Sequence, residues 1–245
     1  KKGRGHWTLG QIKSRLDEID NFKTTYPTWI SGLASGLACA GFIFLLGGGI
    51  PEVICAFFGA GFGNYVRSEM GRHKLTLVAK IAAGVAVACA TYFVAFTILR
   101  LLFQINYDHA YGYIGSMLFV IPGFPFITSG LDMSKLDMRS GLERLTYAVL
   151  IIVIATMAGW AVAMILGLHP GSMPKLGLSS LVLTLLRFIA SFCGVFGFSI
   201  MFNSKPSMAT TAAISGAIAN TLRLSLVDFD HVPAALAAFI GATVA

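Results

Sequence analysis

The stretch FVIPGFPFITSG, residues 119–130, places two prolines and two glycines inside an otherwise apolar segment. Pro122 lacks a backbone N–H, and its ring clashes with the carbonyl group of Leu118, four residues earlier. Pro125 has the same effect on the carbonyl group of Ile121. Gly123 adds backbone freedom between the two prolines. The sequence therefore predicts that any helix through this segment is broken near its middle.

The composition around this stretch is that of a membrane protein. The chain has 245 residues, of which 56% are hydrophobic and only 12% charged, about half the charge of a soluble domain. Apolar runs of roughly 20 residues, long enough to cross a bilayer as helices, recur along it. We therefore predict an all-α, polytopic transmembrane helical bundle. The candidate spans are 28–47, 50–66, 77–103, 112–131, 142–168, 178–203, 207–227 and a start at 233 that is cut short.

The predicted break falls near the middle of the fourth span. A helix that enters at Gly112 reaches Pro122 after a rise of about 15 Å, which is half of a hydrocarbon core roughly 30 Å thick. Irregular backbone at this depth is tolerated only where protein or a water-filled cavity satisfies the freed groups. The N-terminus of a half-helix that starts after the break would suit a carboxylate, as in many secondary transporters. The alternative is a proline kink that only shapes packing.

Polar side chains follow the break at helical spacing. Thr128 and Asp132 are four residues apart and share a face if the half-helix continues, and Ser129 lies beside them. Asp132 could bind a substrate ammonium group or carry a proton, whereas Asp137 is either a solvated loop residue or a functional one. A capping box of Ser140 and Glu143 would start the next span.

Arg187 is the deepest basic residue of the sequence, about nine residues into its span. A charge at that depth is a functional hypothesis by default, and it would hold a substrate carboxylate or pair with an acid across the bundle. The candidate substrate-binding residues are Pro122, Gly123, Pro125, Thr128, Ser129, Asp132 and Arg187, and the candidates for proton or ion coupling are Asp132 and Asp137.

The distribution of positive charge predicts the orientation. All Lys and Arg except Arg100, Lys175, Arg187 and Arg223 fall on the side of the predicted membrane that carries the N-terminus, which the positive-inside rule makes cytoplasmic. This asymmetry accounts for the net charge of +7 without a nucleic-acid partner. No enzyme motif, cofactor fingerprint or metal-ligand spacing is present, so we expect neither catalysis nor a cofactor.

The chain divides into three parts. Residues 1–27 hold an amphipathic helix over 8–22, which Thr8 and Gln11 could start as a capping box. We expect this cytoplasmic segment to be the end of a longer soluble part. Residues 28–170 form a first membrane half of five spans, and residues 171–245 begin a second half of three spans that is cut short. Gly32 and Gly36 form a G-x-x-x-G pattern that predicts close helix packing and allows a homo-oligomer.

The segment IPGFPFITSGLDMSKLDMRSGLERL (121–145) resembles the threonine/serine exporter family of membrane transporters. Its Pro-Gly element, polar pair, two aspartates five positions apart, Ser-Gly and Arg144 fall on the family pattern without gaps, although Thr128 stands where the family often carries an amide. LDEIDNFKTTYPTW (16–29), FLLGGGIPEVICAFFGA (44–60) and FGFSIMFNSKP (196–206) are similar to further family segments.

This resemblance implies a secondary exporter of threonine and serine in the bacterial inner membrane, driven by protons. It also implies about ten spans in two related halves. The second Pro-Gly element, expected near the close of the second half, is not found in this sequence. Relatives in the wider family are associated with dicarboxylate export, so succinate is the second hypothesis. The third hypothesis is a membrane scaffold or channel subunit that transports nothing.

Overall fold

A computed structural model describes residues 8–20, 25–104, 112–168, 177–228 and 231–245. Within these ranges the regular structure is entirely helical. The helices are α1 (Leu9–Asp20), α2 (Thr28–Leu45), α3 (Ile50–Arg72), α4 (Leu77–Phe103), α5 (Gly112–Ser116), α6 (Gly123–Ser134), α7 (Met138–Leu166), α8 (Ser180–Met201), α9 (Pro206–Asp228) and α10 (Ala234–Val244). A short 3-10 helix, Leu118–Val120, lies between α5 and α6.

The described part of the chain holds four helices that are long and apolar enough to cross a membrane, namely α2, α4, α7 and α8. The pair Gly112–Val120 and Gly123–Ser134 makes a fifth if it is counted as one bent span. The predicted all-α membrane bundle is therefore confirmed. The remaining spans and the division into halves stay predictions, and the boundary between residues 170 and 171 lies outside the described residues.

The helices pack in an order that differs from their order in the sequence. α2 contacts both α3 and α8, α3 contacts α4, α4 contacts α7, and α7 contacts α6. On the other side, α8 is followed by α9 and α10. The short α5 lies against α2, α3 and α4. The chain segment that leads into the break is thus surrounded by three helices of the bundle.

Glycines set how closely these helices approach. A Cβ atom added at Gly36 would lie 2.5 Å from the carbonyl oxygen of Phe57 on α3, and one added at Gly41 would lie 2.5 Å from that of Ala190 on α8. Only a residue without a side chain fits at such a distance, as is common in membrane bundles. The close packing predicted for the G-x-x-x-G pattern of α2 is therefore confirmed at Gly36.

Side-chain caps start several helices. Thr8 and Gln11 exchange two hydrogen bonds at the start of α1, with N···O distances of 3.1 and 3.4 Å, so the amphipathic helix predicted over 8–22 has the expected capping box. Thr76 caps α4 by accepting a hydrogen bond from the N–H of Ala79. Asp137 caps α7 by accepting one from the N–H of Ser140.

The start of α7 corrects one prediction. We expected Ser140 to cap a helix that begins at Gly141, but α7 begins at Met138 and its cap is Asp137. Both residue types are good caps, and Asp137 lies one turn earlier, where it already satisfies the free N–H of Ser140. Glu143, the expected second member of the box, instead pairs with Arg139 at 3.3 Å.

The close approach at Gly36 gives a stability prediction. We expect Gly36→Ala to lower the free energy of unfolding by about 2 kcal/mol, because the methyl group forces α2 and α3 apart. Thermal unfolding of the purified protein measures this change.

Gly61→Ala is the matched control on the same helix pair, since its Cβ atom would meet the carbonyl oxygen of Gly32 at an ordinary 3.5 Å. An equal loss of stability in both variants would contradict the packing described here.

Candidate functional site

The backbone breaks at the predicted proline. Pro122 is the residue before α6, and the helix axes on its two sides differ by 56°. The N–H of Gly123 turns back to the carbonyl oxygen of Ile121 at 2.9 Å, and no side chain caps α6. The discontinuous fourth span is therefore present, with α6 as its second half.

The second proline does not break the helix, contrary to our expectation. Pro125 lies in the first turn of α6, which begins at Gly123. The first N–H groups of a helix have no intrahelical acceptor, so a missing one costs nothing there. The break thus depends on Pro122, while Pro125 helps to start the half-helix that follows.

The two hydroxyl groups after the break are engaged with the backbone. Thr128 donates its hydroxyl to the carbonyl oxygens of Phe124 and Pro125 within α6, at 3.0 and 3.2 Å. Ser129 is fully buried and donates to the carbonyl oxygen of Gly141 on α7, at 2.7 Å. Ser129 therefore fastens the half-helix to its neighbour, and Thr128 would have to rotate to reach a ligand.

Asp132 faces a positive charge on the next helix. Its Oδ2 atom lies 3.2 Å from the Nε atom of Arg144, at an angle that does not make a hydrogen bond. The carboxylate is mostly covered, with 23% of the side chain exposed, whereas half of the Arg144 side chain is exposed. Charge, rather than a hydrogen bond, therefore holds Asp132 and Arg144 together.

Asp137 has a structural task that the sequence did not indicate. As the cap of α7 it accepts hydrogen bonds from the hydroxyl and the N–H of Ser140, which hold the pKa of its carboxyl below the usual value, with Arg144 acting in the same direction. Its contribution to stability is therefore present above the unfolded pKa and is lost as the pH falls through the lower, folded pKa.

Arg187 lies away from the broken span. It forms an ion pair with Asp228, the last residue of α9, and only 13% of its side chain is exposed. α8 carries this arginine between α2 and α9, whereas α6 packs against α7. Of the two alternatives raised for Arg187, the structure contains the pairing with an acid, and Asp228 is that acid. The structure thus brings Thr128, Ser129 and Asp132 together on α6 and places Arg187 in a different part of the bundle.

A polar cavity of about 340 Å³ adjoins the segment before the break. It is lined by residues of α3, α4 and α7 and by the last residue of the 3-10 helix, among them Arg67, Ser68, Lys80, Tyr147 and Val120. The guanidinium carbon of Arg67 also lies over the ring of Phe119, 5.3 Å from its centroid. Two cationic side chains therefore stand next to the broken backbone.

Arg67 and Lys80 were not among the predicted site residues, because in the sequence they count among the charges that flank the spans. A signal for Arg67 was present nevertheless. Gly59, Gly63 and Arg67 are spaced by four and so share one face of α3, and the two glycines pack closely against α4. This spacing turns Arg67 toward the bundle. Lys80 has no comparable signal.

The N-terminal two thirds of the chain match a known family model. Residues 3–167 match the model described as "Putative threonine/serine exporter". The chain belongs to this family. The broken span, α6 and the cavity residues named above all lie inside the matched region, and Arg187 lies beyond it. No solved structure matches the chain.

Two curated relatives are similar in sequence to this chain. They are the "Probable succinate transporter subunit YjjP" of Escherichia coli (strain K12) and the protein of the same name from Klebsiella aerogenes, each 30% identical over 156 residues. These alignments cover 62% of this chain and 57% of each relative, so the chain spans little more than half the length of the curated relatives it matches.

The bond between Ser129 and α7 gives a second prediction. We expect Ser129→Ala to lower the free energy of unfolding by about 1 kcal/mol, because the hydrogen bond between α6 and the carbonyl oxygen of Gly141 on α7 is lost. Thermal unfolding, together with faster hydrogen exchange in α6 than in α2, measures the effect.

Ser134→Ala is the control, since Ser134 is exposed and bonds only within its own helix, to the carbonyl oxygen of Leu131. If Ser129→Ala behaved like this control, the hydrogen bond would not fasten α6 to α7.

Proposed function

We propose that this integral, multi-pass membrane protein is a secondary active transporter that moves a small carboxylated metabolite past the broken fourth span. The observation that carries the proposal is the half-helix α6, which starts without a side-chain cap directly after Pro122 and follows a segment that borders a polar cavity. Discontinuous helices of this kind form substrate sites in secondary transporters. Membership of the exporter family supports the same function.

Threonine and serine are the proposed substrates, exported from the cytoplasm. The description of the family model supports them, and a zwitterion would pair its carboxylate with the cations of the cavity and its ammonium group with Asp132 on α6. Pro122, Gly123 and Pro125 would shape this site and Thr128, Ser129 and Asp132 would line it. Arg187 keeps its proposed role in carboxylate binding only if a movement of α8 releases it from Asp228.

A dicarboxylate such as succinate is the second candidate. The curated relatives carry succinate in their names, and the cavity beside the break is lined by two cations and by no acid. A dianion would use both cations, whereas an amino acid would need the carboxylate of Asp132 as well. The word "subunit" in those names supports a protein partner or a homo-oligomer.

We further propose coupling to protons, with export across a bacterial inner membrane and the N-terminus in the cytoplasm. Asp132 is the leading candidate for the coupling group, because its carboxylate is mostly covered and its partner Arg144 is half exposed. Protonation of Asp132 would release Arg144, and substrate ammonium would compete with both. Asp137 is the alternative coupling group.

Transport assays with Asp132→Asn test this proposal. We expect the wild-type protein in liposomes to move radiolabelled threonine or serine when a pH gradient is applied, and Asp132→Asn to lose this coupled flux while it stays folded. Radiolabelled succinate, assayed in parallel, separates the substrate candidates, because it is moved only if the site accepts dicarboxylates.

Asp137→Asn is the comparison, since asparagine caps a helix as well as aspartate does and so preserves the start of α7. Wild-type flux in Asp132→Asn would refute its role, and loss of coupling in Asp137→Asn alone would assign the proton to Asp137. A wild-type protein that moved none of the three compounds would favour the non-transporting scaffold.

A further inference from the structure

Arg67 and Lys80 combine partial burial at a polar cavity with the lack of an acidic partner among the described residues. Four other arginines form ion pairs, namely Arg72 with Glu69, Arg139 with Glu143, Arg144 with Asp132 and Arg187 with Asp228. Among the described residues, no carboxylate lies within 4.0 Å of Arg67 or Lys80. Both side chains are partly buried. A covered charge without a partner is costly, and an anionic ligand would remove that cost.

The packing around Arg67 holds its guanidinium group in place. Its stem runs past Gly84 of α4, where an added Cβ atom would lie 3.0 Å from the Cβ of Arg67. The guanidinium group lies over the buried ring of Phe119. A planar guanidinium fixed in this way is suited to carboxylate recognition through two parallel N–H groups.

The cavity that these residues line has the size and polarity of a ligand site. Its volume of about 340 Å³ lies within the usual range for small-molecule pockets. Tyr147 of α7 brings a phenolic hydroxyl to the same cavity. A second cavity, of about 820 Å³, lies between α2, α3 and the end of α8 and shares Arg67, Ser68 and Gly71 with the first. Arg67 therefore stands between a larger space and the break.

We propose that Arg67 and Lys80, with the hydroxyl of Tyr147, form a carboxylate-binding site that receives the substrate beside the broken span. This site rests on the proposed transport function, but it assigns residues that neither the sequence pattern nor the helix break indicated. The guanidinium group of Arg67 binds the carboxylate, Lys80 adds a second positive charge, and Tyr147 donates a hydrogen bond. Because Arg67 contacts Phe119, a ligand bound at this site acts directly on the segment that leads into Pro122.

Binding measurements on the full-length protein in lipid-free detergent test the site, with L-threonine, L-serine and succinate as probes. We expect at least one probe to raise the thermal midpoint of the wild type. Arg67→Gln and Lys80→Gln each weaken its binding by about 10- to 100-fold, as expected for the loss of a charged hydrogen bond. Lys74→Gln removes a charge from the exposed turn between α3 and α4, outside both cavities, and should bind within about twofold of the wild type.

Two further variants keep the test decisive if Arg67→Gln does not fold. Tyr147→Phe removes a single hydroxyl from a side chain that is about half exposed, and Arg67→Lys keeps the charge without the planar fork. We expect Tyr147→Phe to bind several-fold more weakly and Arg67→Lys to fall between the wild type and Arg67→Gln. Wild-type affinity in Arg67→Gln or in both of these variants would overturn the site, as would a wild type that binds none of the probes.

An anionic lipid headgroup presents the same chemistry as a substrate carboxylate, so the measurement is repeated in lipid nanodiscs. The discs contain phosphatidylcholine alone or with phosphatidylglycerol. Stabilisation by phosphatidylglycerol that Arg67→Gln abolishes, with no effect of the three probes, would overturn the substrate site in favour of a lipid site. Flux in liposomes separates the two proposals: undiminished transport by Arg67→Gln rejects this site alone, whereas no transport by the wild type rejects the transport function.

Discussion

The absence of one backbone N–H group, at Pro122, is the constraint on which the functional region depends. A transmembrane helix satisfies its backbone internally, and a proline in its interior prevents this. The chain responds by turning through 56° and starting a new helix at Gly123. The freed segment is covered by protein on one side, because α5 and the 3-10 helix pack against α2 and α3. A polar cavity adjoins its last residue, Val120.

Charge pairing then separates structural residues from residues that are available for a ligand. Arg187 and Asp228 neutralise each other between α8 and α9, and Arg139 and Glu143 do so on the surface of α7. Asp132 is paired with a half-exposed arginine. Arg67 and Lys80 line a cavity, and within the described residues neither of them pairs with an acid. The candidates for anion binding are therefore Arg67 and Lys80, near the predicted cytoplasmic ends of α3 and α4, rather than Arg187.

Local rules were sufficient to predict the helices, the break and the α1 capping box, because each depends on a few neighbouring residues. Side-chain partners were harder to predict. Asp228 is 41 residues from Arg187 along the chain, and only the packing of α9 on α8 brings them together. The helix break at Pro125 and the cap at Ser140 were predicted wrongly, because a shift of one turn in the start of a helix changes which N–H groups need an acceptor. Arg67 points into the bundle because of how α3 is rotated about its axis. That rotation follows from the close packing of its glycines, and the hydrophobic pattern of the sequence does not indicate it.

The central claim is that the start of α6 lies on a substrate path, and cysteine accessibility at Gly123 tests it most directly. A side chain added at Gly123, or at Gly10 on α1, meets no atom within 4 Å, so both positions accept a cysteine. In a background with the four native cysteines replaced by alanine, a membrane-impermeant thiol reagent should label Gly123→Cys, and a transported substrate should slow this labelling. Gly10→Cys, outside the proposed path, should show no protection by substrate. A Gly123→Cys thiol that is unreactive in the folded protein, or that reacts at the same rate with and without substrate, would contradict the account.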